Sequence, residues 1–257
     1  MEVMGRMPRH NVAMAVDPNF PLDNVPWFAL TTWHSGIAEG AGPARRYPVE
    51  AAPFGGIEDT SAASFAALGA LLRPGESVRI RLPEDVVPPP GLAVCERVHI
   101  NQMVPSVLGY AGIGRAGTGR AGGGRRAIKQ HVIPLGAGDV PEMMVLAAIA
   151  EPGPFGVRTH ELGQYLGIRL GGRLVAMAGE RMRFPGHTEI SAVCTHPDHR
   201  GQGYGRDLVD ALVHRIAERG DMPFLHYQAG NPAAGFYERL GFALRRRLPV
   251  ASLKKSA

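Results

Sequence analysis

Cysteine is almost absent: Cys95 and Cys194 are the only two in 257 residues. Two thiols make a poor disulfide framework, so free thiols in a reducing cytoplasm are expected. Long hydrophobic runs are also missing. No apolar stretch reaches the roughly 20 residues needed to span a bilayer, and the opening decapeptide MEVMGRMPRH lacks an apolar core of signal-peptide length. Neither a membrane association nor export is expected. Charge of one sign is in small excess only. The net charge of +5 suits an anionic cofactor as well as nucleic acid and decides nothing alone. Metal-ligand spacing is lacking too. His34 and His99 have no ligand-type partners at the required intervals, so both read as structural and no metal site is implied.

What is present is a globular composition, 45% hydrophobic and 20% charged, with material for one large domain or two modest ones. The clearest boundary is residues 109–126, GYAGIGRAGTGRAGGGRR. It offers little to bury and reads as a flexible linker between a unit over 1–108 and one over 127–257. Gly112 to Gly117 spells the dinucleotide-binding G-x-G-x-x-G. That fingerprint needs a helix at its third glycine and an acid about 20 residues on. More glycines follow here, so the dinucleotide reading fails. No aromatics interleave the linker arginines for base stacking, which favours a solvated segment over a nucleic-acid contact.

The first unit reads as mixed α/β. Residues 24–37 carry a helical apolar face, and Thr60 is placed to cap a helix over 61–72. Residues 78–82 alternate like a half-buried strand, and 92–100 resemble another. Nothing in this half carries chemistry by itself. In the second unit, 128–135 read as a strand and Asp139 as the cap of a helix over 141–150. Residues 165–170 and 173–183 form strands joined at Gly171-Gly172, a hairpin signal. Further on come a strand over 223–228, a short helix over 233–240 and a closing strand over 242–248.

Between these lies the segment around which the second unit is organised, EISAVCTHPDHRGQGYGRDLVDALV from Glu189 to Val213. A β-branched run over 190–195 is stopped by Pro197. Arg200-Gly201-Gln202-Gly203-Tyr204-Gly205 follows, and then Leu208, Val209, Leu212, Val213 and Ile216 recur at helical spacing. Strand, glycine-rich turn and helix N-terminus bring free N–H groups to one point, where a phosphate or pyrophosphate can bind.

Here the chain resembles the GNAT superfamily of N-acetyltransferases, whose signature Arg/Gln-x-x-Gly-x-Gly/Ala is matched by Arg200 to Gly205 at every fixed position. The resemblance covers about residues 128–247 and includes the ending Phe236-Tyr237-Glu238-Arg239-Leu240-Gly241-Phe242. It implies a mixed α/β sheet in which two neighbouring parallel strands splay to admit the pantetheine arm of acetyl-CoA. The first half would be a degenerate copy of that fold, a substrate lid or a dimerisation unit, which leaves a homodimer open. The resemblance also supplies roles. Backbone groups of Val193, Cys194 and Thr195 would hold pantetheine and polarise the thioester. Gly201, Gln202, Gly203, Tyr204, Gly205 and Arg206, with Arg200, would cradle the pyrophosphate. Tyr237 would protonate the departing thiolate. Asn231 would contact the cofactor, although it precedes Tyr237 by six residues where seven are usual. His226 stands where some relatives carry a basic glutamate, with Glu189 and Glu180 as rivals. The implied activity is acetyl transfer to a primary amine of a small molecule or peptide. A non-catalytic acyl-CoA-binding protein would share the turn but could dispense with Tyr237.

Overall fold

The computed structural model describes residues 20–106 and 131–256, and within them one mixed eight-stranded sheet organises the chain. In sequence order its strands are β3 (Ser77–Arg81), β4 (Leu92–Pro105), β5 (Ile133–Leu135), β6 (Tyr165–Leu170), β7 (Arg173–Phe184), β8 (His187–Thr195), β9 (Met222–Gln228) and β10 (Phe242–Lys255). In space they run β3-β10-β4-β9-β8-β7-β6-β5. A separate antiparallel pair joins β1 (Ala44–Arg46) to β2 (Gly55–Ile57). The helices are α1 (Val25–Thr31), α2 (Ala62–Leu71), α3 (Val140–Ala150), α4 (Tyr204–Glu218) and α5 (Ala234–Arg239). No helix among the described residues is long and apolar enough to cross a membrane.

Side-chain periodicity explains the layers. In α4 the buried positions are Leu208, Val209, Leu212, Val213 and Ile216, the face expected from their spacing. They pack on Leu166, Ile168, Val175, Ala178 and Ile190 of β6 to β8. The opposite face carries α3, whose Met143 and Leu146 meet Tyr165, Met177, Ala192 and Cys194. The β6–β7 turn has positive φ at both Gly171 (55°) and Gly172 (83°), the tight hairpin that Gly-Gly favours. Both cysteines are free, Cys95 exposed and Cys194 buried.

The expected division into separately folding halves does not describe this sheet. Strand β4 lies between β9 and β10, pairing Leu225–Gln228 on one side and the length of β10 on the other. Strand β3 extends the same sheet beyond β10. Residues 20–57 cover part of it as well, with Leu22, Val25, Leu30 and Tyr47 packed against Met182, Phe184 and Phe224. Strands β3 and β4 of the first half therefore share a sheet with the second half through β9 and β10. The expected linker, 109–126, lies outside the described residues.

Local corrections have local causes. Helix α1 stops at Thr31 rather than near residue 37. The Thr31 and Thr32 hydroxyls donate back to the carbonyls of Trp27 and Phe28 at 2.7 and 2.5 Å, competing with the helical ladder. Ser61, not Thr60, caps α2 by accepting from the Ser64 N–H at 3.3 Å. Asp139 does not cap α3 with its side chain. Its carboxylate accepts from the Gly136 N–H and from Arg169 instead.

His34 is buried and shares a 2.8 Å hydrogen bond with the Tyr47 hydroxyl. Burial pulls its pKa down to about 4, partly opposed by Glu189. The unfolded chain takes up this proton near pH 6.5 and the folded chain only near 4, so stability falls as pH drops through that window. The loss is on the order of 3 kcal/mol. Urea unfolding followed from pH 7 to pH 4 should show this loss, and His34→Gln should flatten it. An equally steep decline in the variant would assign the titration elsewhere.

Candidate active site

Strands β8 and β9 are the only parallel neighbours in the described sheet, and they part company early. Pairing runs from His187↔Met222 to Ile190↔Leu225 and stops, although β8 continues to Thr195 and β9 to Gln228. The β9-facing backbone groups of 191–195 thus have no strand opposite them. A bulge lies at the parting point: Ala192 adopts φ 53°, and the register against β7 shifts between Met177 and Gly179. Two cavities meet at this gap, and Val193, Ala233 and Tyr237 line both.

The outer cavity, about 550 Å³, is lined by Cys194, Thr195 and the turn that follows. Gly201 and Gly203 have φ of 77° and 92°, a left-handed backbone that other residues adopt at a cost. Asp207 is the first residue of α4 to donate a helical bond, to the Gly203 carbonyl. Among the described residues none of the N–H groups of 201–206 donates to a backbone carbonyl, so the turn and the first turn of α4 present a cluster of available donors. Arg200, Arg206 and Arg239 stand around it. Gln202 and Tyr204 turn out to support the turn: the buried Tyr204 donates its hydroxyl proton to Gln202 Oε1 at 2.7 Å. A Cβ at Gly205 would meet the Phe236 ring at 3.5 Å, an ordinary contact, so packing alone does not demand glycine there. Sequence reasoning missed Arg239, although it lies within the Phe-Tyr-Glu-Arg ending.

The inner cavity, about 380 Å³, extends from Ser191, His226 and Tyr227 across the sheet to residues of the first half, among them Asp23, Phe54, Arg79 and Arg81. These residues gave no sequence signal of a site. Glu151 stands exposed at its rim. Asn231 lines it too, and its Oδ1 accepts from the Ala233 N–H at 2.9 Å, which anchors the start of α5.

Tyr237 sits on α5 against Phe236, Tyr227 and Phe242. Its hydroxyl makes no hydrogen bond to the described residues. Burial, reinforced by Cys194, pushes its pKa up to about 12.

The three acid–base candidates are placed very differently. Glu180 is buried and bonded to Arg219 at 2.8 Å, and it lines neither cavity. Glu189 is fully buried and accepts from Arg181 through both oxygens, at 2.9 and 2.6 Å, and from His226 Nδ1 at 2.8 Å. Burial would raise its pKa, but Arg181 and His226 outweigh that and hold it at about 2. A carboxylate so engaged is fully buried and lines neither cavity. It orients its neighbours rather than taking a substrate proton. His226 does line the cavity. Its Nε2 lies 2.9 Å from Gln102 Nε2. Gln102 is fixed by two further bonds, donating to the Leu22 carbonyl and accepting from Arg245. The amide therefore donates to His226, which places the lone pair on Nε2 and the proton on Nδ1. The network reaches Asp23, held by Arg245 and Arg246 at 2.6 and 2.7 Å.

Among the described residues no group of three or more His, Cys, Asp or Glu could hold a metal ion. The family model described as FR47-like protein matches residues 165–248. A protein from Novosphingobium aromaticivorans DSM 12444, assigned to the acetyltransferases of the GNAT family, has a solved structure that superposes with a TM-score of 0.76. The two are 35% identical over 92% of this chain and 99% of that one. The chain belongs to the GNAT family. A GCN5-related N-acetyltransferase from Kribbella flavida shares the fold at a TM-score of 0.53, with 18% identity over 91% of this chain and 96% of that one. No curated protein matches. Membership explains the parted strands: this is an acyltransferase fold, and the gap between β8 and β9 is where GNAT proteins are expected to admit the acyl-carrying arm.

Proposed function

We propose that this GNAT protein transfers the acetyl group of acetyl-CoA to a primary amine by direct attack. The observation that carries the reading is the meeting of two cavities at Tyr237, one edged by the free N–H groups of 201–206 and the other reaching into the first half. Pyrophosphate fits the outer one, because unpaired donors, a helix N-terminus and three arginines all favour an anion there. Pantetheine would pass along the unpaired edge of 191–195, whose N–H groups would polarise the thioester oxygen. The acceptor nitrogen attacks the carbonyl carbon from the inner cavity, the C–S bond breaks, and the Tyr237 hydroxyl acts as the general acid by donating a hydrogen bond to the departing thiolate sulfur. His226 would take the proton lost by the ammonium, giving up its bond from Gln102, with Glu189 balancing the imidazolium.

Gly203→Glu should weaken acetyl-CoA binding by more than tenfold, because a carboxylate would stand where the pyrophosphate lies. Calorimetry on the variant, with its fold checked by circular dichroism, makes the measurement. Unchanged affinity would remove the cofactor assignment. Thiol release from acetyl-CoA across a panel of amines then separates an enzyme from a protein that only binds acyl-CoA.

A further inference from the structure

The inner cavity contains a guanidinium, that of Arg81, two of whose nitrogens have no hydrogen-bond partner among the described residues. Of the cations lining it, Arg181 is paired with Glu189 and Arg79 with Glu96. Asp23 on its wall is held by Arg245 and Arg246. Arg81 differs. Its Nε and Nη2 are both buried and have no hydrogen-bond partner. Strand alternation accounts for its position: Val78 and Ile80 point into the core with α2, so Arg79 and Arg81 occupy the other face, towards the cavity. Burial disfavours its charged form, and Asp23 only partly compensates. A buried guanidinium with idle donors costs stability, so a bound anion there would gain the full strength of a charge-assisted, two-pronged bond.

We infer that the acceptor carries an anionic group, a carboxylate or a phosphate, which Arg81 receives at the far end of the cavity from Tyr237. This rests on the acetyl-transfer reading for the identity of the other end. The sheet order sets the acceptor's length. Strand β3 is three strands from β9, and at about 4.8 Å per strand that is roughly 14 Å across. A free amino acid is too short to bridge amine and anion. An extended chain of about four residues at about 3.3 Å each is not. A peptide-like acceptor with its amine at one end and an acidic group at the other matches both ends, and polycationic amines are disfavoured by the same arginine.

The test is a calorimetric titration of the full chain, with and without saturating CoA, using three probes. They are tetra-alanine with a free carboxylate, its C-terminal amide, and the amide ending in phosphoserine. The free acid should bind at least tenfold tighter than the amide. Arg81→Met should abolish that difference while leaving the amide unaffected, and Arg81→Lys should retain part of it. A phosphoserine amide binding tighter than the acid would identify phosphate as the anion. The melting temperature of Arg81→Met should be at or above that of wild type, because an unpaired buried charge has been removed. Equal affinity for acid and amide, no binding by any probe in the millimolar range, or a difference that survives Arg81→Met would overturn the inference. Acetyl-CoA is titrated into the same protein, so a failed cofactor assignment is seen separately from a failed anion site.

Discussion

Tyr237→Phe is expected to lower kcat by roughly 10²-fold, the size of a general acid's contribution, with little change in the KM for acetyl-CoA. The substitution keeps the ring, and with it the packing against Phe236, Tyr227 and Phe242. Only the hydroxyl is lost. Tyr237 lines both cavities and its hydroxyl is bonded to no described residue, so it is available to the leaving sulfur. Burial, with a smaller push from Cys194, holds its pKa at about 12, so it stays protonated throughout the neutral and mildly alkaline range. A cysteine-like thiol has a pKa near 8.5, so full proton transfer from Tyr237 to its thiolate is uphill even once the C–S bond has broken. The hydroxyl therefore acts chiefly by donating a hydrogen bond to charge developing on sulfur. Such a bond is made only in the transition state, which is why kcat should fall and KM should not. Steady-state thiol release by wild type and variant, at an amine concentration where chemistry limits the rate, makes the comparison. A variant with wild-type kcat would reduce Tyr237 to a packing residue, and the acid-catalysed mechanism would go with it.

Local pattern made one part of the site legible and concealed the other. The turn at 200–206 announces itself because glycine spacing, the preceding strand and the following helix are contiguous in sequence, and the apolar period of α4 needs no partner to be read. The inner cavity is assembled from distant pieces. Alternation in 77–81 gives the two faces of a strand but not its neighbours, so β3 and β4 look like a separate unit until their pairing with β10 and β9 is seen. On that reading Arg79 and Arg81 face solvent. In the fold they face a wall built by residues 20–57. Glu189 illustrates the same limit at one residue. In sequence it is a carboxylate at the start of the signature strand and a fair proton acceptor. Its actual role depends on Arg181, eight positions earlier on β7, and on complete burial, neither of which a linear pattern reports.

Glu189→Leu should be the most destabilising of these substitutions, by about 3–5 kcal/mol, the usual cost of stranding one member of a buried pair. Arg181 would keep its charge with a side chain 12% exposed, stacked over the Phe54 ring at 4.7 Å but with no carboxylate to pair it. His226 Nδ1–H would lose its acceptor at the same time. Two consequences separate this from ordinary loss of packing. Replacing both partners, Arg181→Met with Glu189→Leu, removes the stranded charge and should recover most of the loss. The pH dependence should also change in a defined direction. Burial alone would raise the Glu189 pKa, but Arg181 and His226 hold it at about 2, against about 4.3 in an unfolded chain. Its contribution to wild-type stability is therefore complete above that unfolded value and is lost as pH falls through the interval towards 2. In Glu189→Gln this acid-limb loss should be missing, because no proton is taken up at that position. Urea midpoints for wild type, Glu189→Leu, Glu189→Gln and the double variant, between pH 7 and pH 3, give all three comparisons. A double variant no more stable than Glu189→Leu would mean that the carboxylate stabilises the fold by something other than holding Arg181 and His226, and the polar chain linking β7, β8, β9 and β4 would lose its assigned role in shaping the inner cavity.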